Sequence, residues 1–130
     1  MIVLDASATV DWLLQNSAGQ LIEKRLTARH ELLHAPHILD LEVTQVLRRL
    51  AREGKISDQR ADAAMHDLPR LRIIRHPHLI FLPQIWRLRH NLSAYDAAYV
   101  VLAETFGATL ITRDSRLAST PGHAAMIELF

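Results

Sequence analysis

The sequence predicts an α/β fold, namely a three-layer α/β/α sandwich with a short parallel sheet of four to five strands. Short apolar runs such as residues 1–4 and 108–112 alternate with longer segments that are apolar at helical spacing. Each connection is long enough to hold a helix, as parallel pairing with right-handed crossovers requires. The 130 residues include no cysteine, and we expect one domain, residues 1–130, that buries its core without disulfides.

The first half of the chain predicts two strands and three helices. Residues 1–4 form a buried strand, and Ser7 caps a helix over residues 8–15. Ala18 and Gly19 interrupt it, and a second helix to residue 29 completes a helical hairpin. Residues 32–35 form the second strand, and Pro36 opens the longest helix, residues 38–52.

The second half continues the alternation. Ser57 caps a helix that Pro69 ends, and residues 71–75 form a strand near a sheet edge. The helical segment up to residue 90 contains Pro83, which either begins the helix or kinks it. A buried helix begins at Ser93 and ends at Gly107, strand four covers 108–112, and residues 125–129 suggest a fifth, edge strand. Of the aromatic residues, Trp12 and Trp86 are expected in the core.

Composition limits the classes of function. The formal net charge is +1, which neither favours nor excludes a polyanionic partner. With no basic leader and no long apolar run, we expect a cytoplasmic protein without a membrane partner. Arginines cluster at positions 48, 49 and 52, at 70, 72 and 75, and at 87 and 89. Arginine suits phosphate because its planar fork makes paired hydrogen bonds, although such clusters also occur as solvated helix faces.

Four carboxylates are predicted to meet at one edge of the sheet. Asp5 and Asp114 follow the carboxyl ends of strands, Asp96 lies at the start of a helix, and Glu42 lies early on a helix that follows a strand. In parallel α/β sheets ligands bind beyond the carboxyl ends of the strands. We therefore expect these four acids to form the site.

Two further acids are weaker candidates for this site. Asp11 lies in an early helical turn, where an acid usually serves the helix dipole, and is left outside. Asp40 is a possible fifth member, with the same dipole explanation available.

A cluster of carboxylates repels itself unless a cation neutralises it, and hard oxygen ligands favour Mg²⁺ or Mn²⁺. Such ions make water more acidic and stabilise in-line displacement at phosphorus, which indicates a nuclease or a phosphatase. Each acid also has a structural explanation. Asp96 can complete a capping box with Ser93, Asp114 can cap a helix, Asp5 can serve a turn, and Glu42 can pair with an arginine.

The residues that make up this pattern resemble the PIN domain, most closely the VapC toxins of bacterial VapBC toxin–antitoxin systems. The resemblance rests on Leu4-Asp5-Ala6-Ser7, on Glu42 in a helix after Ala35-Pro36, on Tyr95-Asp96-Ala97-Ala98 and on Thr112-Arg113-Asp114. It covers nearly the whole chain in order. Gln45 departs from the pattern, because these proteins often have an asparagine one turn after the glutamate.

The resemblance implies a Mg²⁺- or Mn²⁺-dependent endoribonuclease with a PIN-like fold. Asp5, Glu42, Asp96 and Asp114 would be the catalytic residues and metal ligands, with Ser7 and Thr112 supporting them. The resemblance also implies a homodimer, a VapB-type antitoxin whose tail occupies the groove, and transfer or ribosomal RNA as substrate.

Our hypothesis for the mechanism is hydrolysis by metal-activated water, leaving a 5′-phosphate and a 3′-hydroxyl. Arg87, Arg89 and Arg113 are the arginines expected to hold the RNA backbone. Two other functions stay open: a non-catalytic PIN-like protein that binds RNA or a partner, and a phosphoacceptor signalling domain. A phosphoacceptor domain requires a pair of acids at the end of the first strand, where this chain has only Asp5.

Overall fold

The computed structural model describes residues 1–130, which contain one five-stranded sheet, and every strand pairing in it is parallel. The strands are β1 (Ile2–Leu4), β2 (Leu33–Pro36), β3 (Ile73–His76), β4 (Thr109–Thr112) and β5 (Met126–Leu129), in the order β3-β2-β1-β4-β5. The parallel sheet and both edge strands, β3 and β5, confirm the predicted fold class. All carboxyl ends therefore lie at one edge, with β1 and β4 near its centre.

Seven helices connect and flank these strands. They are α1 (Ala6–Leu14), α2 (Ser17–Thr27), α3 (Ile38–Arg52), α4 (Asp58–Asp67), α5 (Leu82–Arg87), α6 (Ala94–Phe106) and α7 (Ser115–Ser119), with short 3₁₀ turns at Leu68–Arg70 and Leu79–Phe81. Helix α6 packs on β1, β2 and β4, while α1 packs against α2, α3 and α4. One hydrophobic core of 30 buried residues joins the sheet to both helical layers.

The first helix begins earlier than its sequence suggests. Asp5, not Ser7, is the N-cap of α1, because its extended backbone turns its carboxylate onto the amide of Ala8 at 3.0 Å. Ser7 therefore lies inside the helix. The helical hairpin is present, but the break between its helices lies at Gln15 and Asn16, and Ala18 and Gly19, expected to form that break, lie in the first turn of α2. A Cβ on Gly19 would lie 1.8 Å from the carbonyl oxygen of Asp11, which explains a glycine at this helix crossing.

Two prolines and one tryptophan lie at positions that the sequence predicted wrongly or left open. Pro36 ends β2 and does not open α3. Pro83 lies in the first turn of α5, where its missing N–H costs no helical hydrogen bond, so it begins that helix. Trp86 is 67% exposed, and its expected core position is wrong, whereas Trp12 packs against the core.

Helix α6 follows the predicted plan closely. The Ser93 hydroxyl accepts from the amide of Asp96, and Gly107 ends the helix in the left-handed conformation. No helix in the chain combines the length and the apolar character needed to cross a membrane.

Candidate active site

A groove of about 670 Å³ opens at the carboxyl edge of the sheet. Asp5, Glu42, Asp96 and Asp114 all line it. They arrive from the end of β1, the second turn of α3, the first turn of α6 and the segment after β4. The structure thus brings the four predicted acids to one cleft, while their catalytic role stays a prediction.

Asp5 is the most deeply buried of the four, at 6% exposure. One carboxylate oxygen accepts from the Ser7 hydroxyl at 2.7 Å and from the Ala8 amide, and the other accepts from the Thr112 hydroxyl at 2.5 Å. Ser7 in turn accepts from the amide of Arg113 at 2.9 Å. These bonds join the ends of β1 and β4 and fix the orientation of the Asp5 carboxylate.

Glu42 is held by a residue that the sequence analysis did not single out. The hydroxyl of Tyr99 donates to one Glu42 oxygen at 2.7 Å, and the other oxygen receives no hydrogen bond from the protein. Tyr99 is 1% exposed, so its hydroxyl has a fixed position. It lies one helical turn after Asp96, and that spacing is the sequence signal that could have identified it.

Asp114 and Asp96 share one cationic neighbour. Asp114 caps α7, accepting from the amides of Arg116 and Leu117 at 2.9 and 3.2 Å. The Arg116 guanidinium lies 3.4 Å from Asp114 and 3.8 Å from Asp96. Because the Arg116 side chain is 81% exposed, this contact contributes little to stability. The capping role considered for Asp114 is therefore present, and it occupies one carboxylate oxygen, while the other oxygen lies 3.4 Å from the Arg116 guanidinium.

Burial, and to a smaller extent repulsion between neighbouring carboxylates, raises the pKa of three of these acids. Burial raises the pKa of Asp5, and the Asp114 charge raises it further against the opposing hydrogen bonds. Burial also raises the pKa of Glu42, with smaller contributions from Asp96 and Asp5, while the Tyr99 hydrogen bond lowers it. Burial and the Asp114 charge raise the pKa of Asp96. The ionised forms of Asp5, Glu42 and Asp96 are thus less favourable here than in water, and a bound cation would relieve that cost.

The arginines expected to hold RNA do not all reach the groove. Arg113 lines it, but its guanidinium is paired with Asp11 at 2.7 Å. Arg87 lines a separate cavity beside Glu104 and His123, and Arg89 lies over the Trp86 ring at 4.6 Å. Neither lines the acidic groove.

Two groove residues and one candidate acid differ from the sequence-based expectation. Asp11, which was left outside the site, lines the groove. Arg49 also lines it, seven residues after Glu42 on the same face of α3, a spacing that could have identified it. Asp40 instead binds Arg75 through three hydrogen bonds of 2.9–3.2 Å and does not join the acids. Gln45 lines the groove without hydrogen-bonding to an acid.

The donor set fits a hard divalent cation. Every acidic ligand candidate supplies oxygen, the chain has no cysteine, and Glu42 keeps one oxygen free of hydrogen bonds. No three carboxylate or imidazole groups already surround a common point that could hold a metal. Mg²⁺ does not require such a cage, because it usually keeps several waters and binds one or two carboxylates together with substrate phosphate oxygens.

Comparison with known proteins gives consistent matches along the chain. A model of the PIN domain matches residues 2–122. Ribonuclease VapC1 of Mycobacterium tuberculosis is 42% identical over 128 residues, which cover 98% of this chain and 96% of that protein. Ribonuclease VapC12 of the same organism is 41% identical over 129 residues, covering 99% and 98%. The crystal structure of PAE2754 from Pyrobaculum aerophilum aligns with a TM-score of 0.69 at 26% identity, covering 97% of this chain and 82% of that one.

Proposed function

The chain belongs to the PIN domain family, among the VapC ribonucleases, and on that premise we propose that it is a Mg²⁺- or Mn²⁺-dependent endoribonuclease and the toxin of a toxin–antitoxin pair. The observation that supports this proposal best is the convergence of Asp5, Glu42, Asp96 and Asp114 on one groove. The names of the curated relatives describe ribonucleases, and the groove has the donor chemistry that phosphodiester hydrolysis uses.

The proposed roles follow from the contacts of each side chain. Ser7, Thr112 and the Ala8 amide orient Asp5, so that its carboxylate needs no rearrangement when a ligand enters. Asp114 is fixed by the first amides of α7. A divalent cation bound by these acids would make water more acidic and offset the charge of a phosphodiester.

Water, and not the RNA 2′-hydroxyl, is the proposed nucleophile. Hydrolysis breaks the bond between phosphorus and the 3′-oxygen, so the products carry a 5′-phosphate and a 3′-hydroxyl. The groove supports this choice because it offers no histidine pair that could deprotonate the 2′-hydroxyl and protonate the leaving oxygen. No histidine lines it at all.

The test is cleavage of total cellular RNA by the purified protein with Mg²⁺, with Mn²⁺ or with a chelator, followed by mapping of the product ends. We expect metal-dependent cuts at a few discrete positions in transfer or ribosomal RNA. Asp5→Asn should abolish them, whereas Asp40→Asn, which removes an acid outside the groove, should retain them.

Two results would contradict the proposal. Products ending in a 2′,3′-cyclic phosphate would refute the water mechanism. If the folded protein binds Mn²⁺ but cuts no RNA, a non-catalytic RNA-binding or partner-binding role would replace the nuclease.

The proposed partner is a VapB-type antitoxin, whose tail would occupy the groove. The proposed location of both proteins is the cytoplasm. The groove suits a peptide because its lining includes apolar side chains from α1 and α3, namely Val10, Ile38, Leu41, Val46 and Leu50. Leu41 is 68% exposed there. Co-expression with the antitoxin should protect cellular RNA, and Leu41→Asp should weaken that protection.

A homodimer is also part of the proposal. Leu79, Ile80 and Trp86 are 72%, 73% and 67% exposed within one short segment, an unusual concentration of apolar surface. Light scattering should give the mass of two chains, and Ile80→Glu should shift it towards one.

A further inference from the structure

We propose that bound RNA runs from the acidic groove along the C-terminal half of α3, with Arg49 and then Arg52 contacting backbone phosphates. The inference rests on the proposed nuclease function and adds the path of the substrate. It concerns the α3 row, defined as Glu42, Gln45, Arg49 and Arg52.

The α3 row forms one continuous face. Its members are spaced by three, four and three residues, which places them on the same side of an α-helix. Glu42, Gln45 and Arg49 all line the groove, and Arg52 lies one turn beyond Arg49. The row therefore begins among the acids and leads out of the groove.

Two arginines line this groove, Arg49 and Arg113, and only Arg49 has no carboxylate partner within the protein. Arg113 is paired with Asp11 at 2.7 Å, and the nearby Arg116 lies against Asp114 and Asp96. Arg49 and Arg52 form no salt bridge with any carboxylate and are exposed. Their guanidinium groups are free to bind an external anion.

The groove itself needs such a cation. Five carboxylates line it, from Asp5, Asp11, Glu42, Asp96 and Asp114, against the guanidinium groups of Arg49 and Arg113. The carboxylates repel an approaching polyanion. A metal bound by the acids would offset this repulsion only close to its own position. A free arginine at the rim supplies attraction where the flanking phosphates lie.

The distances indicate flanking phosphates and not the scissile one. At 1.5 Å of rise per residue, Arg49 lies roughly 10 Å and Arg52 roughly 15 Å along the helix axis from Glu42. An arginine fork at those positions can bind phosphate oxygens in pairs without reaching the acids. The α3 row thus gives contacts that do not depend on the RNA sequence and that set the path of the RNA strand.

The competing explanation is that these arginines only complement the dipole at the C-terminus of α3. That explanation predicts a change in stability and none in RNA binding. Arg87 provides a matched control, because it is also exposed at the C-terminus of a helix but lines a different cavity.

The experiment measures binding of a fluorescein-labelled oligouridylate by anisotropy, in Mg²⁺, over a series of salt concentrations. The Asp5→Asn protein is the parent, so that the probe stays intact. Arg49→Gln should reduce the slope of log K against log salt by about 0.7, which corresponds to roughly fivefold weaker binding at about 0.1 M salt. Arg52→Gln should act in the same direction, and Arg87→Gln should leave the slope unchanged.

An unchanged slope in a folded Arg49→Gln protein would overturn the inference, leaving Arg49 to the helix dipole or to an acidic peptide. A reduced slope in Arg87→Gln alone would overturn it in favour of a path over α5. Cleavage of cellular RNA by the wild-type protein separates these results from failure of the nuclease function, because absence of cleavage would refute that function whatever Arg49 does.

Discussion

Replacing Tyr99 with phenylalanine removes one hydroxyl and keeps the buried ring. The hydroxyl donates to Glu42 at 2.7 Å, a length typical of a hydrogen bond to an ionised oxygen. Such bonds contribute about 1.5–3 kcal/mol to stability. Because Glu42 is only partly buried, water can replace the lost donor, and the lower end applies. A loss of about 1.5 kcal/mol lowers the Tm of a chain of this size by roughly 5 °C.

The same substitution should weaken cation binding. Without Tyr99 as donor, the Glu42 carboxylate can rotate, and residues that orient a ligand typically affect metal affinity by about tenfold or more. Calorimetric titration with Mn²⁺ measures that affinity without relying on activity. Thermal unfolding followed by circular dichroism measures the Tm.

Thr105→Val is the matched control, because Thr105 lies on the same helix and its hydroxyl bonds only the carbonyl of Val101, at 2.8 Å. The control should bind Mn²⁺ as the wild type does. Equal Mn²⁺ affinity in Tyr99→Phe and wild type would refute the reasoning, and so would an equal loss in both variants.

Three further predictions concern charges. Because burial and the Asp114 charge raise the pKa of Asp96, its ionised form disfavours the fold. Asp96→Asn should therefore stabilise the cation-free protein at neutral pH, and urea unfolding below about pH 3.9 should show no such gain. Asp40→Asn should lower the free energy of unfolding by about 1 kcal/mol, because it removes the negative charge that pairs with Arg75, while RNA cleavage persists. His34 and His76 share a 2.9 Å contact, and burial lowers the pKa of both below the usual value of about 6.5. Stability should thus fall as the pH drops below about 6.5, and His76→Leu should make that fall shallower in urea titrations, whereas an unaltered fall would contradict the assignment.

Hydrophobic periodicity and capping residues were enough to identify most helices and strands, because the boundaries of these elements depend on residues close together in the sequence. Ser57 and Ser93 cap helices where expected, and Gly107 ends α6 where a left-handed residue is needed. The start of α1 was misplaced because two local signals competed there. Asp5 and Ser7 are both good caps, and the end of β1 decided for Asp5 by giving it extended backbone.

The candidate site divides in the same way. The order of the acids along the chain predicts that they meet, because parallel strands must present their carboxyl ends at one edge. Its spacing from Asp96 could place Tyr99 near the acids, but the sequence could not pair Tyr99 with Glu42, since that contact joins residues 57 positions apart on two helices. The sequence could not rank the arginines for the same reason, because the pairing of Arg113 with Asp11 and the position of Arg89 over the Trp86 ring depend on tertiary packing.

The sequence by itself determined the class of fold, the strand and helix order, and the four acids at one edge, since periodicity, capping and chain direction are local or topological properties. Only the tertiary structure decided which charges around the groove are neutralised within the chain and which stay free. The pairing that decides this, Arg113 with Asp11, joins side chains 102 positions apart, and no spacing rule encodes it.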